Sequence, residues 1–424
     1  MSPGIRLKRT LSRTTVGASD EQQLLYVLLE AAPEGMPSQM PQLPLNICLL
    51  IDRSSSMRGE RLQYVKAAAG KIIDQLGQDD FFSLVTFNDR AEVVVQAQRA
   101  TQKADLKRAT NSIEAAGGTE MAMGMALAVQ EVQRSMLPRG VSRILLLTDG
   151  RTYGDEARCV EIARRAQSRN IGITALGVGL EWNEDLLETM TARENSHAQY
   201  ITSAGDIADV FSAEVKRMHS IFAQQVMFST TLRPGSLLRS LDRVQPFITP
   251  VPVVEEAERR WNGNLGDWPG SDTHAFLLEI VVPPLEVGEQ ALAKISLRYD
   301  LPGANLRDQV VDEIVRITVR PAAEVGYEVD PGVKHWLERL VAYRLQSSAW
   351  QHVEAGRIEE ATQRLQMAGT RLFEAGEREL ARTVQEEATR LLHSGAASDE
   401  GRKRIRFGTR GLMGHGNEER TTET

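Results

Sequence analysis

At 424 residues the chain is long enough for two or three compact units, each burying its own core. Hydrophobic residues at 42% and charged residues at 25% are ordinary globular values and exclude a fibrous or wholly disordered chain. A formal net charge of -7, with no positive cluster away from the two ends, argues against a nucleic-acid partner, because phosphate binding needs a concentrated positive field.

The first residues carry Arg6, Lys8, Arg9 and Arg13 with no apolar stretch of the signal-peptide kind behind them. Apolar runs such as 24–29 fall far short of the roughly 20 residues that a bilayer demands, so no membrane insertion is expected and a cytoplasmic location is the default. Segments 5–11 and 24–29 read as strands, too few to bury a face alone, and are expected to join strands much later in the chain.

From 46 to 218 apolar strands alternate with amphipathic helices, the pattern of a mostly parallel, doubly wound sheet covered on both faces. Runs 46–51, 82–87, 144–147 and 173–178 lack polar alternation, as strands buried on both sides should. Between them Leu62, Val65, Ala69, Ile72, Ile73 and Leu76 recur at helical spacing. Further helices are expected near 103–113, 121–136, 157–169, 184–191 and 207–220, with Asn183 and Asp206 as N-caps of the last two. Cys48 falls in a strand and Cys159 in a helix; nothing pairs them or marks a metal motif, so both read as reduced core residues.

After Ser220 short β-like stretches appear at 226–231, 276–282, 291–299 and 310–319, separated by Pro and Gly, and predict a β-sandwich. Trp261 and Trp268 sit in the Gly- and Asn-rich run 262–270, which reads as a loop packed against that sandwich. A helical pattern resumes at Asp330, a cap followed by Pro331, and continues through Trp336, Leu340 and Trp350. Gly356 and Gly376 divide the stretch up to Ser394 into two more helices that would bury their apolar stripes mutually in a bundle. Beyond Ser394 the chain is Gly-rich and polar, with a basic stretch 402–406, and is expected to be a solvated, disordered tail. The resulting plan has N-terminal strands at 1–43, an α/β domain at 44–220 inserted in a sandwich at 221–327, a helical bundle at 328–395 and the tail at 396–424.

The strongest chemical signal is Asp52-Arg53-Ser54-Ser55-Ser56, directly after a buried strand. In an open α/β sheet, loops at strand C-termini line the natural binding crevice. A second such loop carries Thr148-Asp149-Gly150, and a third, Gly117-Gly118-Thr119-Glu120, has two glycines that let the backbone bend before a helix. Each motif alone fits a helix cap or a turn. Taken in this order, they resemble the metal ion-dependent adhesion site of von Willebrand factor type A domains, whose pattern is Asp-x-Ser-x-Ser, then a Thr, then an Asp; Ser55 stands where that family commonly has Gly. The resemblance covers about 46–218 and belongs with bacterial-type multidomain proteins of this class. It implies that Asp52, Ser54, Ser56, Thr119 and Asp149 hold one divalent cation, Mg²⁺ or another such as Mn²⁺ or Ca²⁺. It further implies that an Asp or Glu of a protein ligand completes the shell. Hydroxyl and carboxylate oxygens are the donors that hard cations prefer, and Mg²⁺ keeps part of its water shell.

The expected role is therefore scaffolding or regulation through metal-dependent protein contact, with no catalytic residue. Two other readings stay open: a Mg²⁺-dependent phosphohydrolase using Asp52, and a constitutive assembly subunit that binds through its helices and sandwich. Against the first, Ser54 occupies the position where such phosphatases place a second acid, and no Lys at a matching loop is evident; the lack of a Gly-x-Ser-x-Gly elbow, a His-Glu-x-x-His run and a P-loop argues separately against a serine hydrolase, a catalytic zinc site and a nucleotide motor. The terminal Glu418-Glu419-Arg420-Thr421-Thr422-Glu423-Thr424 looks similar to acidic segments phosphorylated by bacterial-type kinases and read by forkhead-associated domains. That likeness makes Thr421 and Thr422 candidate phosphorylation sites and a phosphothreonine-binding protein a candidate partner.

Overall fold

The computed structural model describes residues 3–35, 42–270 and 272–414. Three strands open the chain: β1 (Gly4–Leu11), β2 (Thr15–Gly17) and β3 (Gln23–Glu34). The α/β region comes next as β4 (Leu45–Asp52), α1 (Glu60–Gln75), β5 (Phe81–Phe87), β6 (Ala91–Arg99), α2 (Lys103–Asn111) and α3 (Met121–Arg134). It continues with β7 (Val141–Thr148), α4 (Glu156–Gln167), β8 (Ile171–Val178), α5 (Glu184–Met190), β9 (His197–Ile201) and α6 (Ile207–His219). Strands return as β10 (Ile221–Leu232), β11 (Leu237–Gln245), β12 (Thr249–Pro250), β13 (Val253–Ala257), β14 (Arg260–Pro269), β15 (His274–Val282), β16 (Gly288–Leu301) and β17 (Leu306–Arg320). The chain closes with α7 (Pro331–Glu354), α8 (Ile358–Glu374), α9 (Arg378–Ser394), α10 (Asp399–Arg410) and β18 (Met413–Gly414). These elements form two compact units, one made of the N-terminal strands with residues 222–411, the other of the α/β region up to Ile221 with the segment from Leu412.

In the first unit two sheets face each other, ordered β1-β3-β15-β11-β12 and β13-β14-β10-β16-β17-β2. The N-terminal strands are thus built into both: β3 pairs antiparallel with β15, and β2 runs parallel to β17, with Val16 beside Val319. The α/β region is an insertion between β3 and β10. Leu25, Val27, Leu29 and Ala31 of β3 point into the sandwich core with Trp268, Phe276 and Leu278. On its other face Leu28 and the half-buried Tyr26 meet Val333, Leu340, Trp336 and Tyr343 of α7. Covered on both sides, β3 shows the continuous apolar run of a doubly buried strand. Asp330 caps α7 by accepting from the amides of Gly332 and Val333 at 2.9 and 3.1 Å, with Pro331 at the first helical position.

Two expectations for this unit are corrected. Residues 260–269 form strand β14, with Trp261 and Trp268 6% and 0% exposed; Trp268 stacks on His274 with centroids 4.4 Å apart. Leu265 and Gly266 are buried in succession, with Gly266 at φ +78°, so the inward alternation changes phase mid-strand and the period of two is hidden. The tail is corrected in the same way, because residues 399–410 form α10, capped by Ser398, with Ile405 and Phe407 0% and Lys403 2% exposed. Its glycines allow close packing on α9: a Cβ at Gly401 would lie 2.3 Å from the Glu387 carboxyl carbon, and one at Gly408 2.9 Å from Leu380 Cδ1. The basic run 402–406 is therefore part of a packed helix, whereas Thr421 and Thr422 lie outside the described residues.

In the second unit the sheet order is β18-β9-β8-β7-β4-β5-β6, parallel throughout except for β6, which turns back antiparallel on β5. Every residue of β4, β7 and β8 is buried. Asn183 caps α5 by accepting from Leu186 N at 3.1 Å, but Asp206 makes no side-chain cap. Instead Ser203 accepts from Gly205 N and caps a short 3-10 turn that leads into α6. Among the described residues no helix is long and apolar enough to cross a membrane.

Candidate metal centre

Strands β4, β5 and β7 end together. In parallel register Ile51 lies beside Leu147 and Asp52 beside Phe87, so the loop after β4 and the loop after β7 leave the sheet as neighbours. Asp52 is completely buried. Its Oδ1 accepts from the Ser54 amide at 2.8 Å, closing a tight turn, and its Oδ2 accepts from Thr148 Oγ1 at 2.7 Å. Ser54 Oγ lies 3.0 Å from Ser56 Oγ, which donates to Asp149 Oδ1 at 2.7 Å. Asp149 is 1% exposed, and its Oδ2 takes Arg61 Nη1, from the first turn of α1, at 2.5 Å. Asp52, Ser54, Ser56 and Asp149 thus form one hydrogen-bonded chain across two loops.

Thr119 reaches the same place from the third loop. Ala116 N donates to Arg53 O at 2.8 Å, and Ser55 uses both its amide and its hydroxyl on Gly117 O, at 3.0 and 2.9 Å. Gly117 has φ +80°, and a Cβ on it would sit 2.3 Å from Asp89 Oδ2; one on Gly118 would sit 2.5 Å from Asp89 Oδ1, which accepts from Gly118 N at 2.8 Å. The left-handed backbone at residue 117 favours glycine, and both glycines leave room for the Asp89 carboxylate to approach the backbone. Thr152 Oγ1 and Asp155 Oδ2 accept from Met121 N and Ala122 N, so the loop after β7 caps α3 from outside and fixes the residue next to Thr119. A Cβ at Gly150 would lie 3.6 Å from Thr119 Oγ1 and 3.7 Å from Ser56 Oγ, which puts the two hydroxyls on one side of that residue. All five sequence-predicted side chains are brought to one end of the sheet. Glu120, next to Thr119, is exposed, and its carboxylate bonds no described residue.

Two members of this network were not singled out from the sequence. Thr148 adjoins Asp149 in a strand-end triplet, and only the register shows that its hydroxyl meets Asp52. Arg61 reads as an ordinary polar helix position until Asp149 is placed across from it.

Burial is the largest influence on Asp52 and the charge of Asp149 adds to it; hydrogen bonds from Ser54 and Thr148 offset part, leaving the carboxyl pushed up to about 6. Two buried carboxylates and three hydroxyls form an oxygen-only donor set, which fits a hard divalent cation, and such an ion would relieve the burial and mutual repulsion of the pair. Among the described residues no three or more His, Cys, Asp or Glu side chains gather as metal ligands, so an ion held here would need the hydroxyls as well. Thiolate chemistry has no place here: burial pushes both Cys48 and Cys159 up to about 12.

Residues 46–213 match the von Willebrand factor type A domain family model, and residues 331–415 match the Sll0103-like, C-terminal alpha-helical domain model. The uncharacterized protein sll0103 of Synechocystis sp. is 28% identical over 395 residues, covering 92% of this chain and 93% of that protein. Among solved structures, a von Willebrand factor type A protein from Catenulispora acidiphila superposes with a TM-score of 0.76 at 18% identity, covering 96% of each chain. The ArnB paralog VWA2 from Sulfolobus acidocaldarius does so with a TM-score of 0.56 at 15% identity, covering 96% of this chain and 98% of that one. At these identities the structures show a shared fold. The chain is thus built on a von Willebrand factor type A domain, carried in a strand-rich region and followed by an Sll0103-like C-terminal helical domain.

Proposed function

We propose that the A domain is a metal-dependent protein-binding module through which the chain acts as a scaffold or regulator. Asp52, Ser54, Ser56 and Thr119 would hold one Mg²⁺-type cation directly or nearly so, with Asp149 ligating or orienting a bound water. Bound there, the ion would supply a Lewis-acidic position for an Asp or Glu carboxylate of a partner protein. The observation that carries this reading is the hydrogen-bonded chain from Asp52 through Ser54 and Ser56 to Asp149, with the Thr119 hydroxyl on the same side of Gly150 as that of Ser56. Such an arrangement suits binding better than turnover. Asp52 is buried, and each of its oxygens already accepts a hydrogen bond, so it makes a poor phosphate-accepting nucleophile.

The test uses the purified full chain. Titration with Mn²⁺ followed by calorimetry is expected to give one saturable site that Asp52→Ala removes without loss of the folded circular dichroism spectrum. Partner capture is expected in Mg²⁺ and not in chelator. Capture that persists in chelator and survives Asp52→Ala would replace this reading with constitutive assembly through the helices and sandwich.

A further inference from the structure

The two buried carboxylates of the centre are matched by one cation from the protein itself. Arg61 Nη1 contacts Asp149 Oδ2 at 2.5 Å, while the Asp149 side chain is 0% and that of Arg61 43% exposed. Its outer end lies beside Gly179, in the loop after β8, where a Cβ would come within 3.7 Å of Arg61 Nη2. The guanidinium is therefore tied to the loop after β7 through Asp149, with donors still facing solvent. Arg58, Asp89, Glu120 and Arg151 on the surrounding loops are exposed, and water screens their charges. Arg53, half-buried between Asp52 and Ser54, shares no hydrogen bond with either carboxylate. Arg61 is the one cation ion-paired with the five-residue network among the described residues.

We infer that Arg61 is a positioning residue of the metal centre, holding Asp149 by Oδ2 so that only the Oδ1 side faces Ser56, and setting the charge of the occupied site. Two carboxylates and one guanidinium sum to a single negative charge. A divalent ion then leaves one positive charge, which one external carboxylate neutralises. Without Arg61 the two internal carboxylates would neutralise the ion by themselves, so it would bind more tightly while losing its electrostatic demand for a partner. This inference rests on the proposed metal-dependent reading and assigns the regulation of that same site.

The experiment compares wild type, Arg61→Gln and Arg61→Lys as full chains, with Mn²⁺ alone as the first probe and acetate on the Mn²⁺-loaded protein as the second. Removing one charge a few ångströms from the ion is expected to tighten Mn²⁺ binding about tenfold in Arg61→Gln at low salt, and the gain should shrink as salt rises. Arg61→Lys, which keeps the charge, should stay within about threefold of wild type. Acetate, followed by water-proton relaxation at Mn²⁺, should displace bound water at lower concentration in wild type than in Arg61→Gln. If wild type binds no Mn²⁺, the metal reading falls and this inference with it. If wild type binds and Arg61→Gln binds no tighter, the inference alone is overturned.

Discussion

Gly117→Ala isolates the loop that carries Thr119. The substitution places a Cβ at φ +80°, a left-handed conformation that costs an L-residue roughly 1–2 kcal/mol. The same Cβ would fall 2.3 Å from Asp89 Oδ2 and 2.9 Å from Asn88 Nδ2. Asp89 can swing away, but only by giving up its charged hydrogen bond to Gly118 N, worth about 1.5–3 kcal/mol at most because the site is exposed. The total, at most about 2.5–5 kcal/mol, lands on a loop whose ties to the α/β core include the bonds to Arg53, Ser55, Asn88 and Thr152. The loop is therefore expected to shift before the domain unfolds: the thermal midpoint falls by a few degrees, while Mn²⁺ affinity falls about tenfold or more as the Thr119 hydroxyl leaves its place. Gly118→Ala is the control, since it loses the Asp89 contact without the left-handed strain and should show the smaller effect on both readouts. A Gly117→Ala protein with wild-type Mn²⁺ affinity and melting would refute the claim that this backbone geometry sets the site.

In the A domain, Glu214 Oε1 lies 3.2 Å from His197 Nε2; burial raises the carboxyl, but the charge and hydrogen bond of His197, with Arg217 and Arg143, outweigh it and hold it down at about 2. A depressed carboxyl stabilises the fold fully above its unfolded value of 4.5, and that contribution is lost as pH falls toward 2; a depression of this size corresponds to about 3 kcal/mol. Urea unfolding should therefore show a gap between wild type and Glu214→Gln at pH 6 that narrows below pH 4.5, and parallel pH profiles would contradict it. Phe407→Ala removes a completely buried ring from α10 and should cost about 3–5 kcal/mol in denaturant unfolding of the sandwich-and-helix unit, where a solvated tail would give no change. Trp268→Ala should cost a similar amount, and near-neutral melting would argue against a core position on β14.

The fold was legible where burial is symmetric. Strands β4, β7 and β8 are covered on both faces, so each reads as an unbroken apolar run, and the helices between them carry one apolar stripe. Strand β6 is half-buried at a sheet edge, and β9 is a five-residue strand of mixed polarity, so neither presents a run long enough to be seen. Phase is the obstacle in β14, where one change at Leu265 and Gly266 erases the alternation that Trp261 and Gly263 begin. In α10 the misleading signal is composition: Gly401 and Gly408 lower helix propensity, but they let the helix approach Glu387 and Leu380 more closely than any side chain would allow. Propensity counts the cost of such a glycine and is blind to the contact it permits.

The candidate centre was legible for a different reason. Its donors differ in kind from their surroundings: Asp52, Ser54 and Ser56 interrupt an apolar strand end and Thr119 follows two glycines, and although each motif alone fits a cap or a turn, their order along the chain carries the resemblance. Thr148 and Arg61 have no such contrast, because a threonine ends many strands and an arginine begins many helices. Their roles come from register alone: pairing Ile51 with Leu147 carries Thr148 to Asp52 and sets Asp149 opposite the first turn of α1. Oxygen donors with the chemistry to meet a cation are thus visible in the chain. The groups that hydrogen-bond those donors are chosen by position, and a parallel sheet assigns position to residues nearly a hundred apart in sequence.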